Sequence, residues 1–298
     1  MTVDDNNFLE ENLKRINKAL FKTLPEKEIS KVTEAIHYSV MSGGKRIRPQ
    51  LILILSEILK VEVSSSNIDL IAAAGELIHC YSLIHDDLPA MDDDDYRRGQ
   101  LSCHKKFNEA IAILTGDAIQ PLSLEVLTSI KDPNLEDKTK LEIINLFARA
   151  CGPKGMVEGQ NRDISSENKI LTEEELDEIH YLKTGKLIEA CVMVVCLIKK
   201  DIEKDVIDKL IEFSNKFGLA FQIVDDILDE VGDEKKIGKP IKSDIKNNKS
   251  TYPSIIGVEN SQKKAELLTG EALSILNELP FDTSKLEFLC ELVLKRSN

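Results

Sequence analysis

Six aspartates crowd into ten residues of this chain, Asp86-Asp87-Leu88-Pro89-Ala90-Met91-Asp92-Asp93-Asp94-Asp95, and the arginine pair Arg97-Arg98 follows closely. An isolated acidic run is ordinarily a solvated loop. This one follows an apolar stretch, Ile68 to Ile84, which places its first acids at the mouth of a core, and the sequence repeats the theme at Gln222-Ile223-Val224-Asp225-Asp226-Ile227-Leu228-Asp229. At about 100° per residue, Asp225, Asp226 and Asp229 fall at roughly 300°, 40° and 340° from Gln222, so all four share an arc of about 100° on an otherwise apolar helix. Carboxylates packed this closely repel one another, and without a cation some would be held protonated. Hard oxygen donors in such an array suit magnesium, which shares its remaining positions with water and phosphate oxygens. Neither cluster is a calcium hand, since the twelve-residue loop with its central glycine is missing.

Carboxylates that collect magnesium imply a phosphorylated ligand, and that ligand needs cations from the protein. Gly43-Gly44-Lys45-Arg46-Ile47-Arg48-Pro49 is a glycine turn opening a helix, with three cations where an anion could sit. Lys183-Thr184-Gly185-Lys186, Lys239 and Lys249 add more. A phosphate-binding P-loop is excluded: Gly232 and Gly238-Lys239 are one residue too far apart, and Pro240 stands where a hydroxyl is required. Upstream of the first cluster, His79, Ser82 and Asp86 lie on one helical stripe. Asp86 and Asp92 do not share a face of a straight helix, and Pro89 is expected to distort the helix between them.

The elements that must position these residues read as helices. Val206, Leu210, Phe213, Phe217, Phe221, Val224, Leu228 and Val231 recur at steps of three and four and predict one long helix with an apolar stripe. Ile68 to Ile84 is apolar on most sides, interrupted by Glu76 and His79, and predicts a buried helix. Lys186 to Ile198 reads the same way, although its Val-Met-Val-Val centre also suits a strand. Thr172 with Glu175 forms a capping box, and Pro49 sits in a first helical turn. Turn signals for strands are nearly absent, and no stretch looks like a linker or a repeat. The fold class is therefore all-α, one domain over residues 1–298, with ten or more helices.

Composition narrows the function. Over 298 residues, 52 acidic against 39 basic residues give a net charge of −13, the wrong sign for a general nucleic-acid or anionic-membrane binder. Six scattered cysteines without a CxxC pair argue against a zinc site or disulfide framework and fit a reducing cytoplasm. The first fifteen residues are polar and acidic, unlike a secretory signal, and apolar runs such as Ala190 to Ile198 are too short to span a bilayer.

Taken together the motifs identify a resemblance. GGKRIRP at 43–49, IHCYSLIHDDLPAMDDDDYRRG at 78–99, KTGKL at 183–187, FQIVDDILD at 221–229, and GK followed by KSTYP over 238–253 occur in the order found in the trans-isoprenyl diphosphate synthases, and the likeness runs over nearly the whole chain. Within that family the sequence is most similar to bacterial members whose product is farnesyl diphosphate. It departs from the family's pattern at Asn247-Asn248-Lys249, where a glycine usually precedes the lysine.

The resemblance implies helices around a central cavity, usually in a homodimer, and about three magnesium ions with diphosphate bound. It implies Asp86, Asp92 and Asp225 as principal metal ligands, with Asp87, Asp226 and Asp229 nearby or acting through water. Arg97, Lys183, Gln222, Lys239 and Lys249 would hold the allylic diphosphate, and Gly44, Lys45, Arg48, His79 and Arg98 isopentenyl diphosphate. Lys183, Thr184 and Gln222 would be catalytic, steadying an allylic cation with oxygen dipoles in a dry cavity. Tyr81, about 7 Å along the helix from Asp86, with small Ser82 beside it, would form the floor that sets product length. The expected reaction joins isopentenyl diphosphate head to tail to dimethylallyl or geranyl diphosphate, giving farnesyl diphosphate. Three other readings are a geranylgeranyl diphosphate synthase, a silent regulatory subunit and a terpene cyclase. A silent subunit is expected to have lost an aspartate motif, and a cyclase rarely keeps Lys45, Arg48, His79 and Arg98 together.

Overall fold

In a computed structural model, which describes residues 3–232 and 249–294, the chain is built almost wholly of helices. They are α1 (Val3–Thr23), α2 (Lys31–Val40), α3 (Ile47–Ile58), α4 (Ser65–Asp86), α5 (Cys103–Lys106), α6 (Glu109–Ser129), α7 (Asp137–Cys151), α8 (Met156–Ser165) and α9 (Glu173–His180). There follow α10 (Lys186–Lys199), α11 (Lys204–Val231), α12 (Tyr252–Ile256), α13 (Val258–Asn277) and α14 (Ser284–Leu294). The strands among the described residues are a two-residue pair, β1 (Tyr96–Arg97) and β2 (Gln100–Leu101), joined as an antiparallel hairpin. The expectation of ten or more helices holds.

Two helices form the centre. Helix α4 packs against α1, α2, α3, α6 and α10, and α10 against α3, α4, α7 and α11. Burial on so many sides explains why both lack a polar face. Residues 186–198, whose β-branched centre also suits a strand, are helical because neighbouring helices surround them, and tertiary burial overrides local preference. The stripe on α11 is buried at Val206, Leu210, Phe213, Phe217 and Val224 and partly buried at Phe221 and Leu228, while Val231 is 55% exposed because the helix outruns the core there. The sequence reading also missed helix α6, 21 residues, which is long and apolar enough by length and composition to cross a membrane. Here its Ala112, Thr115, Gly116 and Ile119 are buried, with α4 as its main neighbour, while Ile113 and Leu114 are exposed on its outer side.

Caps fix the helix starts. Ser30 with Thr33, Thr172 with Glu175, and Thr251 with Ser254 each form reciprocal capping boxes at α2, α9 and α12. The start of α3 is different. Gly43 and Gly44 have φ of 91° and 108°, and Arg46 follows at 51°. A left-handed arginine is uncommon, and it persists because its guanidinium is buried and bonded to Glu76 at 2.6 Å and to the Val40 carbonyl at 2.6 Å.

Between α9 and α10 the chain winds one turn of π-helix, Tyr181–Gly185. Helix α8 presses on one side of it and α11 on another. A Cβ on Gly159 of α8 would lie 2.2 Å from the Lys183 backbone nitrogen, and one on Gly218 of α11 would lie 3.3 Å from the Gly185 Cα. Main chain touches main chain at both contacts, which only glycine permits at Gly159. Gly159→Ala is expected to cost about 3 kcal/mol by overpacking, whereas Gly270→Ala on α13, with nothing within 4 Å, should stabilise by up to about 1 kcal/mol; urea unfolding of the two variants measures both.

Candidate active site

The first acidic cluster sits where α4 stops. Pro89 does not bend the helix as the spacing suggests: α4 ends at Asp86, and the chain turns so that the Asp92 amide donates to the Asp86 carbonyl at 2.9 Å. The turn, rather than a shared helical face, brings the two aspartates together. Asp87 is buried and bonds the Arg97 guanidinium, its Oδ1 accepting from Nε at 2.9 Å. Burial pushes the Asp87 carboxyl up to about 6, with Arg97 opposing. Asp94 also takes Arg97, at 3.2 Å. Asp95 pairs with Lys105 at 2.8 Å, and Asp93 lies 3.8 Å from both Lys105 and His104. Only part of the acidic run therefore faces the cleft.

Asp86 and Asp92 meet polar groups from three segments, two of them cations. The Asp86 Oδ1 accepts from the Gln160 amide of α8 and lies 3.7 Å from the Lys183 Nζ in the π-turn. The Asp92 Oδ1 accepts from the Lys249 Nζ at 2.5 Å. One carboxylate joins the two lysines: the Asp163 Oδ2 on α8 takes Lys183 at 2.7 Å and Lys249 at 3.1 Å. Burial alone would raise the Asp163 carboxyl, but the two ammoniums hold it well below the usual carboxylate range. Lys183 is held well above its ordinary value because Asp163, Asp86 and Asp92 outweigh the burial that opposes its charge. Asp86 and Asp92 are hard oxygen donors that already gather cationic charge, which is the chemistry magnesium requires.

The next residue of the π-turn reaches the second acidic helix. The Thr184 Oγ1 donates to the Gln222 Oε1 at 2.8 Å, and the Gln222 Nε2 donates to the Asp226 Oδ1 at 3.1 Å. The other Asp226 oxygen accepts the Tyr252 amide at 3.1 Å and lies 3.3 Å from His180. The Asp226 carboxylate, expected near a metal or acting through water, is buried and held by Gln222, by the first amide of α12 and by His180. Asp225 is half-buried and Asp229 buried.

A separate cationic group surrounds Glu76. Its Oε1 accepts from Arg46 at 2.6 Å and from Arg98 at 3.3 Å. The Arg98 guanidinium also donates to the Gly43 carbonyl at 2.5 Å, and it lies against Gly44, where a Cβ would sit 2.8 Å from its Cζ. Arg48 lies 3.3 Å from His79, and Lys45 is exposed beside them in sequence. Burial and then Arg48, Arg98 and Arg46 push the His79 imidazole well below its ordinary value, so it is neutral. Arg46 itself belongs to the scaffold. Tyr81 is buried, edge-on to His85 at 6.1 Å. The Ser82 hydroxyl donates back to the His79 carbonyl at 2.8 Å. His85 lies 3.1 Å from the Ile113 carbonyl on α6, which gives it a structural role.

The structure brings together Gly44, Arg48, His79 and Arg98 in one group, and Asp86, Asp92, Lys183, Thr184, Gln222 and Lys249 in another. Lys239 lies outside the described residues. Sequence reasoning missed Gln160 and Asp163, although their spacing of three just after Gly159 is a legible signal, and it took Glu76 only as an interruption of an apolar run.

The chain matches the polyprenyl synthetase family over residues 29–278. It is 41% identical over 294 residues to the farnesyl diphosphate synthase of Escherichia coli, covering 97% of this chain and 98% of that protein. Among solved structures, the geranyltransferase of Legionella pneumophila superposes with a TM-score of 0.86 at 36% identity, covering 99% of this chain and 98% of that one. The geranyltransferase of Helicobacter pylori, complexed with magnesium and isoprenyl diphosphate, superposes with a TM-score of 0.85 at 30% identity and covers the same shares.

The state of His79 yields a pH dependence. Its folded value lies below the unfolded value of about 6.5, so above that pH it contributes nothing. As pH falls below 6.5 the unfolded chain takes up a proton that the folded site refuses, and stability is lost at up to about 1.4 kcal/mol per pH unit. Chemical unfolding between pH 5 and pH 7 should show this slope in the wild type and a shallower one in His79→Gln.

Proposed function

The chain belongs to the polyprenyl synthetase family, and we propose that its cleft binds two diphosphates by different means so that only one of them leaves. The observation that carries this is the asymmetry along α4. Near Glu76 and His79 the cleft gathers arginines without a metal-type carboxylate set. Seven residues on, about 10 Å away at Asp86, it gathers lysines together with Asp86 and Asp92. A diphosphate held by Lys45, Arg48 and Arg98 without metal-binding carboxylates, on a carbon chain that cannot form an allylic cation, keeps its carbon–oxygen bond. One held by lysines and metal-binding carboxylates is primed to depart. The enzyme is a prenyltransferase that condenses isopentenyl diphosphate with dimethylallyl and geranyl diphosphates, and its product is farnesyl diphosphate.

Lys45, Arg48, His79 and Arg98, with the Gly44 backbone, hold isopentenyl diphosphate; Arg97, Lys183, Lys239 and Lys249 hold the allylic diphosphate. Asp86, Asp92 and Asp225 would hold magnesium, about three ions in all once diphosphate is bound. Magnesium, when bound, neutralises charge on the leaving diphosphate. The allylic carbon–oxygen bond breaks with both electrons going to diphosphate. The Thr184 hydroxyl, having given its hydrogen to Gln222, turns its lone pairs toward the cation, and the Lys183 carbonyl adds a second oxygen. Gln222 is fixed in this sense because its amide nitrogen is committed to Asp226. The double bond of isopentenyl diphosphate then forms the new carbon–carbon bond, and the proton it loses goes to a diphosphate oxygen. No side-chain base is required.

Tyr81, buried beneath Asp86 with Ser82 beside it, closes the cavity and limits the product to fifteen carbons. A second copy of the chain covers the outer face of α6, where Ile113 and Leu114 are 44% and 51% exposed. Six free thiols suit a cytoplasmic location.

Labelled isopentenyl diphosphate with dimethylallyl diphosphate and magnesium should give a fifteen-carbon product from the wild type and longer products from Tyr81→Ala. A wild type that makes twenty carbons would move the floor and leave the chemistry standing. Asp86→Ala or Asp225→Ala should lower kcat by about a thousandfold or more; turnover within tenfold of wild type would remove that residue from the metal set.

A further inference from the structure

Lys183 and Lys249, both assigned to the allylic site, come from distant segments, yet both ammoniums rest on one oxygen, the Asp163 Oδ2. Each also leans toward the first aspartate motif, Lys183 toward Asp86 at 3.7 Å and Lys249 toward Asp92 at 2.5 Å. The charges alternate in an unbroken chain from Asp86 through Lys183, Asp163 and Lys249 to Asp92. All five side chains are largely shielded from water, so their interactions are weakly screened.

The order of that chain has a chemical meaning. Asp86 and Asp92 must become available to a divalent cation, and the lysines must become available to phosphate oxygens. If the lysines had only the motif aspartates as partners, they would bind them fully and compete with the cation. Asp163 gives each lysine a second, permanent partner. It holds the pair in place while leaving each ammonium able to release its motif carboxylate and keep a compensated charge.

Helix α8 is fixed for this task. Gly159 lets its backbone meet that of Lys183, where a Cβ would come within 2.2 Å of the nitrogen. Gln160, three residues before Asp163 on the same face, donates to Asp86. The position of Asp163 is therefore set by main-chain contact and not by the lysines it binds.

We propose that Asp163 is a positioning residue that keeps Lys183 and Lys249 poised between the aspartate motif and the allylic diphosphate, and so governs magnesium and diphosphate binding together. The proposal rests on the functional reading above. It assigns Asp163 no contact with the reacting carbons and no part in holding isopentenyl diphosphate, whose Arg98 is held by Glu76 instead.

The test compares wild type, Asp163→Asn and Asp163→Glu. Inorganic diphosphate is titrated calorimetrically in the presence of magnesium, which requires no turnover, and both KM values and the half-saturating magnesium concentration are measured during condensation. Asp163→Asn should weaken diphosphate binding about tenfold, raise the allylic KM and the magnesium requirement by similar factors, and leave the isopentenyl diphosphate KM within about twofold. Asp163→Glu, which keeps the charge but displaces it by one methylene, should lose about threefold on the same quantities. Unchanged diphosphate binding in Asp163→Asn, or equal rises in both KM values, overturns the role. Where Asp163→Asn does not fold, Asp163→Glu decides: selective loss on the allylic side supports the role, and native values overturn it. A wild type that binds diphosphate without condensing substrates would overturn the functional reading, while the titration would still judge Asp163.

Discussion

The π-turn at Tyr181–Gly185 is the constraint on which the site depends. An α-helix turns about 100° per residue and cannot easily send consecutive side chains to opposite acidic helices. Widening one turn, with Gly159 behind Lys183 and Gly218 behind Gly185, aims Lys183 at α8 and the end of α4 while Thr184 bonds α11. The two motifs are far apart in sequence, and these two adjacent residues tie one to the other. A single wide turn inside a helical run is a common device at functional sites, and here its cause is visible in the backbone contacts on either side.

Charge in the cleft is arranged around two buried carboxylates that hold pairs of cations. Glu76 serves Arg46 and Arg98, and Asp163 serves Lys183 and Lys249. A buried charge is costly unless paired, so each arrangement keeps cations in place within a chain of net charge −13. The two differ in stiffness. Arg46 is inaccessible and bonded on both sides, which makes its group rigid. Lys249 is bonded on one side to Asp163 and on the other to Asp92, a carboxylate that the proposed function assigns to magnesium.

Much of this was legible in the sequence because helical periodicity reports directly on burial. Helices α4 and α11 appear as apolar stripes, and Gln222 and Thr184 occur in motifs with a recognisable chemistry. What escaped is what periodicity cannot encode. Which partners the Asp226 carboxylate takes depends on Tyr252, which arrives from another part of the chain. The β-branched residues of α10 look equally suited to a strand until four neighbouring helices enclose them. Pro89 marks a disturbance in the chain, but only the bond from the Asp92 amide to the Asp86 carbonyl shows that the helix stops there. Asp163 sits in a polar helix whose one informative face is revealed only by its contact with the π-turn.

Helix α4 carries Glu76, His79, Tyr81 and Asp86 on one uninterrupted rod. Along such a rod every step in height is also a step in rotation, about 1.5 Å with about 100°. Adding a residue between Tyr81 and Asp86 would swing the tyrosine a quarter-turn or more relative to Asp86 as well as shifting it along the axis. Depth beneath the aspartates therefore cannot be adjusted gradually by changing the helix's length, because phase is lost before distance is gained. The quantity left free to vary at this position is the bulk of one side chain, which changes in whole steps from one amino acid to the next.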